Sequence, residues 1–420
     1  MKNRNNTEEK KKLGADRENL MILLASALHP RQAKALCPPV NWQRILDEAR
    51  RQNLMALVYE EAVRRGEMDD FPGREVYERE TVGTVFGQME RSRVFLELYE
   101  GLAREGLRPI VMKGICCRQL YGSYRDHRPS GDEDLLIKKE EFPAVKRVLE
   151  QRGFRAEQEE TTEEQLEQLQ EVTFEGGEPS LHLEVHLNPM GKENHQRREM
   201  NRWFEPVFER TGAMEIDGVP LRVMNHTDHF LYLLLHTFRH FCSGGFGLRQ
   251  AMDILLYQEA YEGEMDWNYL ESAFTQLGLE GFFGDLIWIG NQMLGFSLKE
   301  RQTRCPEELL EDMMRTGIFG NDTQEQRTAG QMTMAAVSGA GIGRRGKLRL
   351  LFRTAFPEKA RMIDLHPELV EKGWLLPVRW IQRWGRFLKH NQERGGGLAA
   401  ESIRISRHRQ KLLKSYGVLH

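Results

Sequence analysis

Between residues 106 and 225 the spacing of apolar side chains changes period, and that change limits the architectures open to this chain more than anything else in it. On either side, apolar residues recur every three or four positions. The stretch 41–66, NWQRILDEARRQNLMALVYEEAVRRG, places them at 42, 45, 46, 49, 54, 55, 57 and 58, a broad helical stripe closed by Gly66. Residues 74–105 continue as a second long helix. Inside 106–225 the apolar runs are short. RPIVMKG, DEDLLIKK, EVTFEG and LHLEVHLNP each predict a strand, the last with clear alternation. EEFPAVKRVLEQRGF predicts a helix ending at Gly153, and MEIDGVPLRVM (214–224) predicts a hairpin about Asp217-Gly218. After Met224 the pattern is helical again, with breaks at 338–346 and 393–401.

Strands and a helix between helical flanks make an α+β pattern. It divides into a disordered tail (1–17), an N-terminal helical region (18–105), a sheet-bearing core (106–225) and a C-terminal helical region with a basic tail (226–420). No run of about 18 apolar residues is present, so no transmembrane segment is expected. The polar opening MKNRNNTEEKKK has no apolar segment of the kind a secretory leader needs. The 5 cysteines are odd in number and unpatterned, as in a reduced, cytoplasmic protein. The net charge of −3 is unevenly spread: from Arg344 onward 18 Lys and Arg face 6 Asp and Glu, +12, which leaves 42 against 57, −15, in the first 343 residues. The tail carries Arg379, Arg383, Arg386 and Lys389 beside Trp380 and Trp384. A helix packed by its Trp side is favoured there over contact with nucleic acid or a membrane surface.

The chemistry concentrates in RPSGDEDLLI, residues 128–137. Strand alternation puts Asp132 and Asp134 on one side and Glu133 on the other. Two carboxylates about 7 Å apart on one face repel unless a cation lies between them. Hard oxygen ligands suit Mg²⁺, which takes one or two carboxylates and fills its shell with water and phosphate oxygens. Glu133, pointing the other way, must reach water or a basic partner. In LHLEVHLNP, Glu184 shares a face with His182 and His186, and it completes a three-carboxylate cluster if its strand pairs beside that of Asp132. Upstream, Lys113 adds positive charge and Gly114 permits a sharp turn into a helix whose free N–H groups suit phosphate. Arg128 has the fork geometry to clamp a phosphate. Further on, His226, His229, His236 and His240 recur at spacings of 3, 7 and 4 and can share a helix face. No His-Asp dipeptide follows them, which argues against a histidine–aspartate phosphohydrolase.

From Val111 to Phe154 the sequence resembles the nucleotidyltransferase superfamily with a polymerase-beta-like palm, and more narrowly a bacterial group of uncharacterised nucleotidyltransferases. The resemblance rests on Lys113-Gly114, on Arg128-Pro129-Ser130-Gly131-Asp132-Glu133-Asp134-Leu135-Leu136-Ile137, on Gly153-Phe154 and on Glu184-Val185-His186. It implies a palm-like mixed sheet, with Asp132, Asp134 and Glu184 as catalytic, metal-binding carboxylates and Lys113, Gly114 and Arg128 around the nucleotide. It also implies a His-bearing helix and a Leu-Arg-x-x-x-Asp segment near the site, matched by Leu248-Arg249 and Asp253; Asp253 reads as a structural ion-pair or cap residue, Arg239 and His240 are candidate substrate contacts, and His186 is a candidate for either a substrate contact or a structural role. The expected reaction is Mg²⁺-dependent transfer of NMP from a nucleoside triphosphate to a hydroxyl acceptor, with Mn²⁺ as alternative ion. The acceptor is a small molecule, a protein or an RNA, nucleic acid not being favoured. The alternative is a catalytically inactive nucleotide-binding or regulatory protein that keeps the fold, an alternative raised by Glu133 and by Lys113-Gly114 in place of the superfamily's usual Gly-Ser.

Overall fold

The computed structural model describes residues 2–157, 170–191, 195–317, 329–330, 332–333, 373–382, 385 and 397–419. They fall into two compact units, one of Met1–Thr237 with Leu248–Gln302 and one of Phe238–Gly247 with Thr303–His420. Residues 248–302 therefore group with the sheet, not with the chain that follows them.

In the first unit, α1 (Lys2–Leu28), α2 (Trp42–Arg51), α3 (Met55–Arg64) and α4 (Arg74–Arg104) precede the sheet. Residues 2–17 of the stretch expected as a tail lie in α1, whose sequence before the apolar part is rich in Lys and Glu and has no Pro. Leu20, Leu23 and Leu24 are fully buried. The single stripe read over 41–66 is two helices. Asn53 adopts a left-handed conformation at φ 56°, which ends α2, and the fully buried Gln52 accepts the N–H of Leu248 at 2.8 Å. Helical periodicity survives such a break because the apolar residues of both halves face one core.

The sheet holds β1 (Ile110–Met112), β2 (Glu133–Leu136), β3 (Arg155–Ala156), β4 (Glu171–Gly176), β5 (Leu181–His186), β6 (Thr211–Ile216) and β7 (Val219–Met224) in the order β3-β4-β5-β2-β1-β7-β6. It is mixed: β2 runs parallel to β5 and β1 to β7, while β1 and β2, β3 and β4, β4 and β5, and β6 and β7 pair antiparallel. Asp217 and Gly218 both have positive φ, 49° and 83°, the pairing that closes a two-residue hairpin such as β6–β7. α5 (Gly114–Arg118) and a 3₁₀ stretch (Gln119–His127) lead from β1 to β2, and α6 (Phe142–Gln151) follows β2.

One face of this sheet is a hydrophobic core. Val111, Leu135, Leu183 and Val185 pack there with Phe95 and Leu102 of α4 and Val145 and Leu149 of α6. Each such side chain contributes about 1.5–3 kcal/mol on burial. Tyr99 of α4 ties the elements together by polar contacts: its hydroxyl donates to the Pro109 carbonyl at 3.0 Å, before β1, and accepts the Arg222 N–H of β7 at 2.9 Å. By alternation Met112, Asp134 and Glu184 occupy the other face, cross-strand neighbours in one row.

α7 (His195–Arg202) precedes β6. α8 (His226–Ser243), α9 (Leu248–Tyr261), α10 (Trp267–Leu277) and α11 (Glu280–Met293) follow β7, and α12 (Pro306–Thr316) and α13 (Gly397–Ser415) lie in the second unit. There Arg409 of α13, fully buried, donates to Asp312 of α12 at 3.1 Å and to Thr316 at 2.9 Å. Phe241 stacks edge-on with Phe246 and Tyr416. Arg383, Trp384, Arg386 and Lys389 of the basic stripe lie outside the described residues. Among the described residues, no helix is long and apolar enough to cross a membrane.

Candidate active site

The strand register builds the site. Parallel pairing of β2 with β5 sets Asp134 opposite Glu184, and antiparallel pairing of β1 with β2 sets Met112 opposite Asp134. Asp132 immediately precedes β2 and is a third exposed at its side chain, whereas that of Asp134 is fully buried. Lys113, one residue past β1, emerges beside them. Its ammonium lies 3.0 Å from Asp134 Oδ1, 3.1 Å from Asp132 Oδ2 and 3.9 Å from Glu184 Oε2. His186, two residues beyond Glu184 and so on the same face, places Nε2 at 2.9 Å from Asp134 Oδ1 and 3.3 Å from Glu184 Oε2. Its Nδ1 lies 3.4 Å from Glu171 Oε2 on β4.

Four acids and two bases in so small a volume shift one another. Burial pushes Asp134 up to about 7 against the pull of Lys113, and Asp132 and Glu184 add to the rise. Burial would also raise Glu184, but the hydrogen bond from His186 and the charge of Lys113 outweigh it and hold this carboxyl below the usual carboxylate range. Lys113, first among the causes, holds Asp132 down. Burial lowers His186, yet Asp134, Glu184 and Glu171 more than reverse that and bring it to about 9. His186 and Lys113 are the two bases that face these carboxylates.

Asp134 Oδ2 is buried without a hydrogen-bond partner. An orphaned carboxylate oxygen is costly unless something else satisfies it. Among the described residues, the one group of three or more side chains able to hold a metal is Asp134, Glu184 and His186, with ligand atoms within 4.8 Å of one another. With Asp132 at the open edge, the donor set is oxygen-rich and fits a hard divalent cation.

The other residues singled out in the sequence have different surroundings. Glu133 faces away from the cluster and is buried. Its Oε2 accepts the Ile115 N–H at 2.7 Å, and its Oε1 lies 3.4 Å from Arg118, itself donating to Ser92 Oγ at 2.7 Å. Burial raises the Glu133 pKa and Arg118 opposes that rise. One N–H at the start of α5 is thus occupied by the chain's own carboxylate. Gly114 makes room for it: at φ 32°, a Cβ here would stand 2.2 Å from Glu133 Oε2 and 3.3 Å from the Asp132 carbonyl. Arg128, expected at the nucleotide, is buried and holds Asp253 of α9 with two nitrogens, at 3.0 and 2.5 Å, and Ser130 with a third. Tyr121 donates to the same aspartate at 2.9 Å. The sequence marked Asp253 as a structural ion-pair residue but could not name Arg128 as its partner, 125 residues away.

A different arginine neighbours the carboxylates. Arg249, one turn before Asp253 on α9, donates to the Pro129 carbonyl at 2.7 Å, and its Nε is buried without a partner. Its charge helps hold Asp132 down, behind Lys113, and burial lowers its own pKa. The Leu248-Arg249…Asp253 segment was the signal for it, but only the capture of Arg128 by Asp253 reveals which arginine remains beside the cluster. On α8, His226 stacks on Tyr261 at 3.9 Å and meets the Tyr257 hydroxyl at 3.1 Å. Burial drives His229 down to about 3, so it is neutral. Arg239 and His240 fall in the second unit. At the far ends of β2 and β5, two residues beyond Asp134, a cleft of about 450 Å³ opens between Leu136, Asn188, Phe204, Glu205 and Phe208.

The sequence model of a family described as "Uncharacterised nucleotidyltransferase" matches residues 38–295, well over half of the chain and all of the site just described. No curated protein and no solved structure matches the chain.

Proposed function

This chain belongs to the uncharacterised nucleotidyltransferase family, and we propose on that premise that it is a Mg²⁺-dependent enzyme with a polymerase-beta-like palm, transferring NMP from a nucleoside triphosphate to a hydroxyl acceptor in the cytoplasm. One observation carries the reading: Asp134 and Glu184 face each other across paired strands, Asp132 stands two residues before, and a buried oxygen of Asp134 has no partner. Asp132, Asp134 and Glu184 would hold the divalent ion, with His186 fixing the last two by hydrogen bonds. The ion, when bound, supplies positive charge to the α-phosphate and to the attacking oxygen. Lys113 and Arg249 are the cations beside the carboxylates and would take the phosphate oxygens. The acceptor oxygen forms a bond to the α-phosphorus, the bond to the bridging oxygen breaks, and pyrophosphate leaves. Glu184, a fifth exposed, would help the ion activate the acceptor hydroxyl. The acceptor is a small molecule, a protein or an RNA.

Calorimetry with each of the four nucleoside triphosphates and Mg²⁺ tests this. Asp132→Ala and Asp134→Ala abolish joint binding of metal and nucleotide on the present reading, and unchanged binding in both would end it. A second reading, a nucleotide-binding protein without turnover, is favoured by the Lys113 ammonium lying among the carboxylates and by Glu133 occupying the Ile115 N–H. Incubation with α-labelled triphosphates, Mg²⁺ and host extract separates the two: label transferred to any fraction supports the enzyme, and tight binding without transfer supports the binder.

A further inference from the structure

The position of Lys113 raises a question of occupancy. A magnesium ion needs carboxylate oxygens at about 2.0–2.1 Å. The Lys113 ammonium already stands 3.0 and 3.1 Å from the two aspartates and 3.9 Å from Glu184. Two cations cannot share that volume without strong repulsion. The backbone around Lys113 is fastened, its carbonyl accepting the Cys116 N–H at 2.8 Å and the next residue being wedged against Glu133. Its side chain is a flexible four-carbon stem with a compact charge at the end. Metal entry must therefore move the ammonium while the turn stays in place, and the ammonium must find another anion.

We propose that Lys113 is an interlock: it is the resident cation of the carboxylate cluster, keeps free divalent metal out, and yields only to a metal–nucleotide complex whose phosphate oxygens receive the ammonium. The proposal rests on the nucleotidyltransferase reading and adds an order to it. Two structural facts support the exchange. Asp134 Oδ2 is buried and unpartnered even with Lys113 in place, so the lysine leaves unfilled an oxygen that a metal would take. Arg249, with its unpartnered Nε, stands near Asp132 and gives the incoming phosphates a second cation. Lys113 thus couples metal affinity to nucleotide affinity, and such coupling is reciprocal.

The test is a Mn²⁺ titration followed by electron paramagnetic resonance of the free ion. It is run on the wild type, Lys113→Met and Lys113→Gln, each alone and with the α,β-methylene analogues of the four nucleoside triphosphates. In the wild type, a non-hydrolysable nucleotide tightens Mn²⁺ binding by about 10-fold or more, within the range usual for coupled sites. The two Lys113 variants bind Mn²⁺ without nucleotide at least about 10-fold more tightly than the wild type does and lose most of the nucleotide effect. The interlock is refuted if either folded variant binds free Mn²⁺ no more tightly than the wild type. It is refuted equally if the wild type binds Mn²⁺ as well alone as with every analogue, a result that needs no variant and leaves the enzymatic reading standing. Absence of Mn²⁺ binding in all proteins with all analogues removes the nucleotidyltransferase reading and the interlock with it.

Discussion

Arg128→Ala separates a phosphate clamp from a structural strut. Arg128 and Asp253 expose only 4% and 8% of their side chains, and two nitrogens of one meet both oxygens of the other. Removing one partner of a buried pair leaves an uncompensated charge and costs about 3–5 kcal/mol. Tyr121 still donates to Asp253, one hydrogen bond that offsets about 1 kcal/mol, while Ser130 loses its donor. The expected net loss is about 3–4 kcal/mol, a large share of the 5–15 kcal/mol typical of a domain. Urea unfolding followed by intrinsic fluorescence measures it, with the transition of the sheet-bearing unit read apart from that of the second unit. Arg128→Met with Asp253→Leu replaces both charges by apolar bulk and costs well under the sum of the single variants. The reasoning fails if Arg128→Ala leaves stability within about 1 kcal/mol of wild type and weakens nucleotide binding about 10-fold or more, because the guanidinium would then be acting on phosphate.

Glu133→Gln loses the ion pair with Arg118 but keeps an acceptor for Ile115, so it lowers stability by about 1–3 kcal/mol and leaves nucleotide affinity unchanged; calorimetry beside a melt checks both, and the reverse pattern would place Glu133 at the ligand. Gly114→Ala meets Glu133 Oε2 at 2.2 Å in a left-handed backbone and lowers the melting temperature by several degrees, whereas an unchanged melt would mean the turn relaxes freely. His186 carries a pH signature. Its folded pKa, about 9, lies above the ordinary 6.5, so the folded state binds the extra proton between these values. Its contribution to stability is complete below pH 6.5 and is lost as pH rises through 9, with a slope of at most about 1.4 kcal/mol per pH unit. Urea midpoints from pH 6 to 9.5 fall in the wild type and flatten over that window in His186→Gln, and an equal slope in both excludes His186 as the cause.

What the sequence disclosed follows from the range of the forces involved. Period-two alternation is local, so it sorted Asp132 and Asp134 from Glu133 before any fold was known. The hairpin at Asp217-Gly218, the α4 helix and strands β4 and β5 were equally local. Contacts distant along the chain were not readable in this way. The pairing of Asp134 with Glu184 spans 50 residues, and alternation could bring the two together only on the condition that their strands pair. Arg128 looked like a phosphate clamp because charge and position favoured it, and its pairing with Asp253 could not be seen across 125 residues. Arg249 was visible only as part of a short pattern, for the same reason. For His186, open in the sequence between a structural and a catalytic role, alternation gave the face but not the depth. His186 is fully buried against three carboxylates.

The register of β2 on β5 also sets when the site exists. β1 and β2 are near neighbours in sequence and can pair early, but β5 joins β2 across 50 residues, and β7 joins β1 across 112, from Ile110 to Arg222. Loop closure over such spans makes these pairings slow relative to local structure. Before β5 docks, Asp132 and Asp134 have Lys113 but neither Glu184 nor His186. The carboxylate cluster is therefore a late product of folding, and its completion marks a chain whose central strands have all found their places.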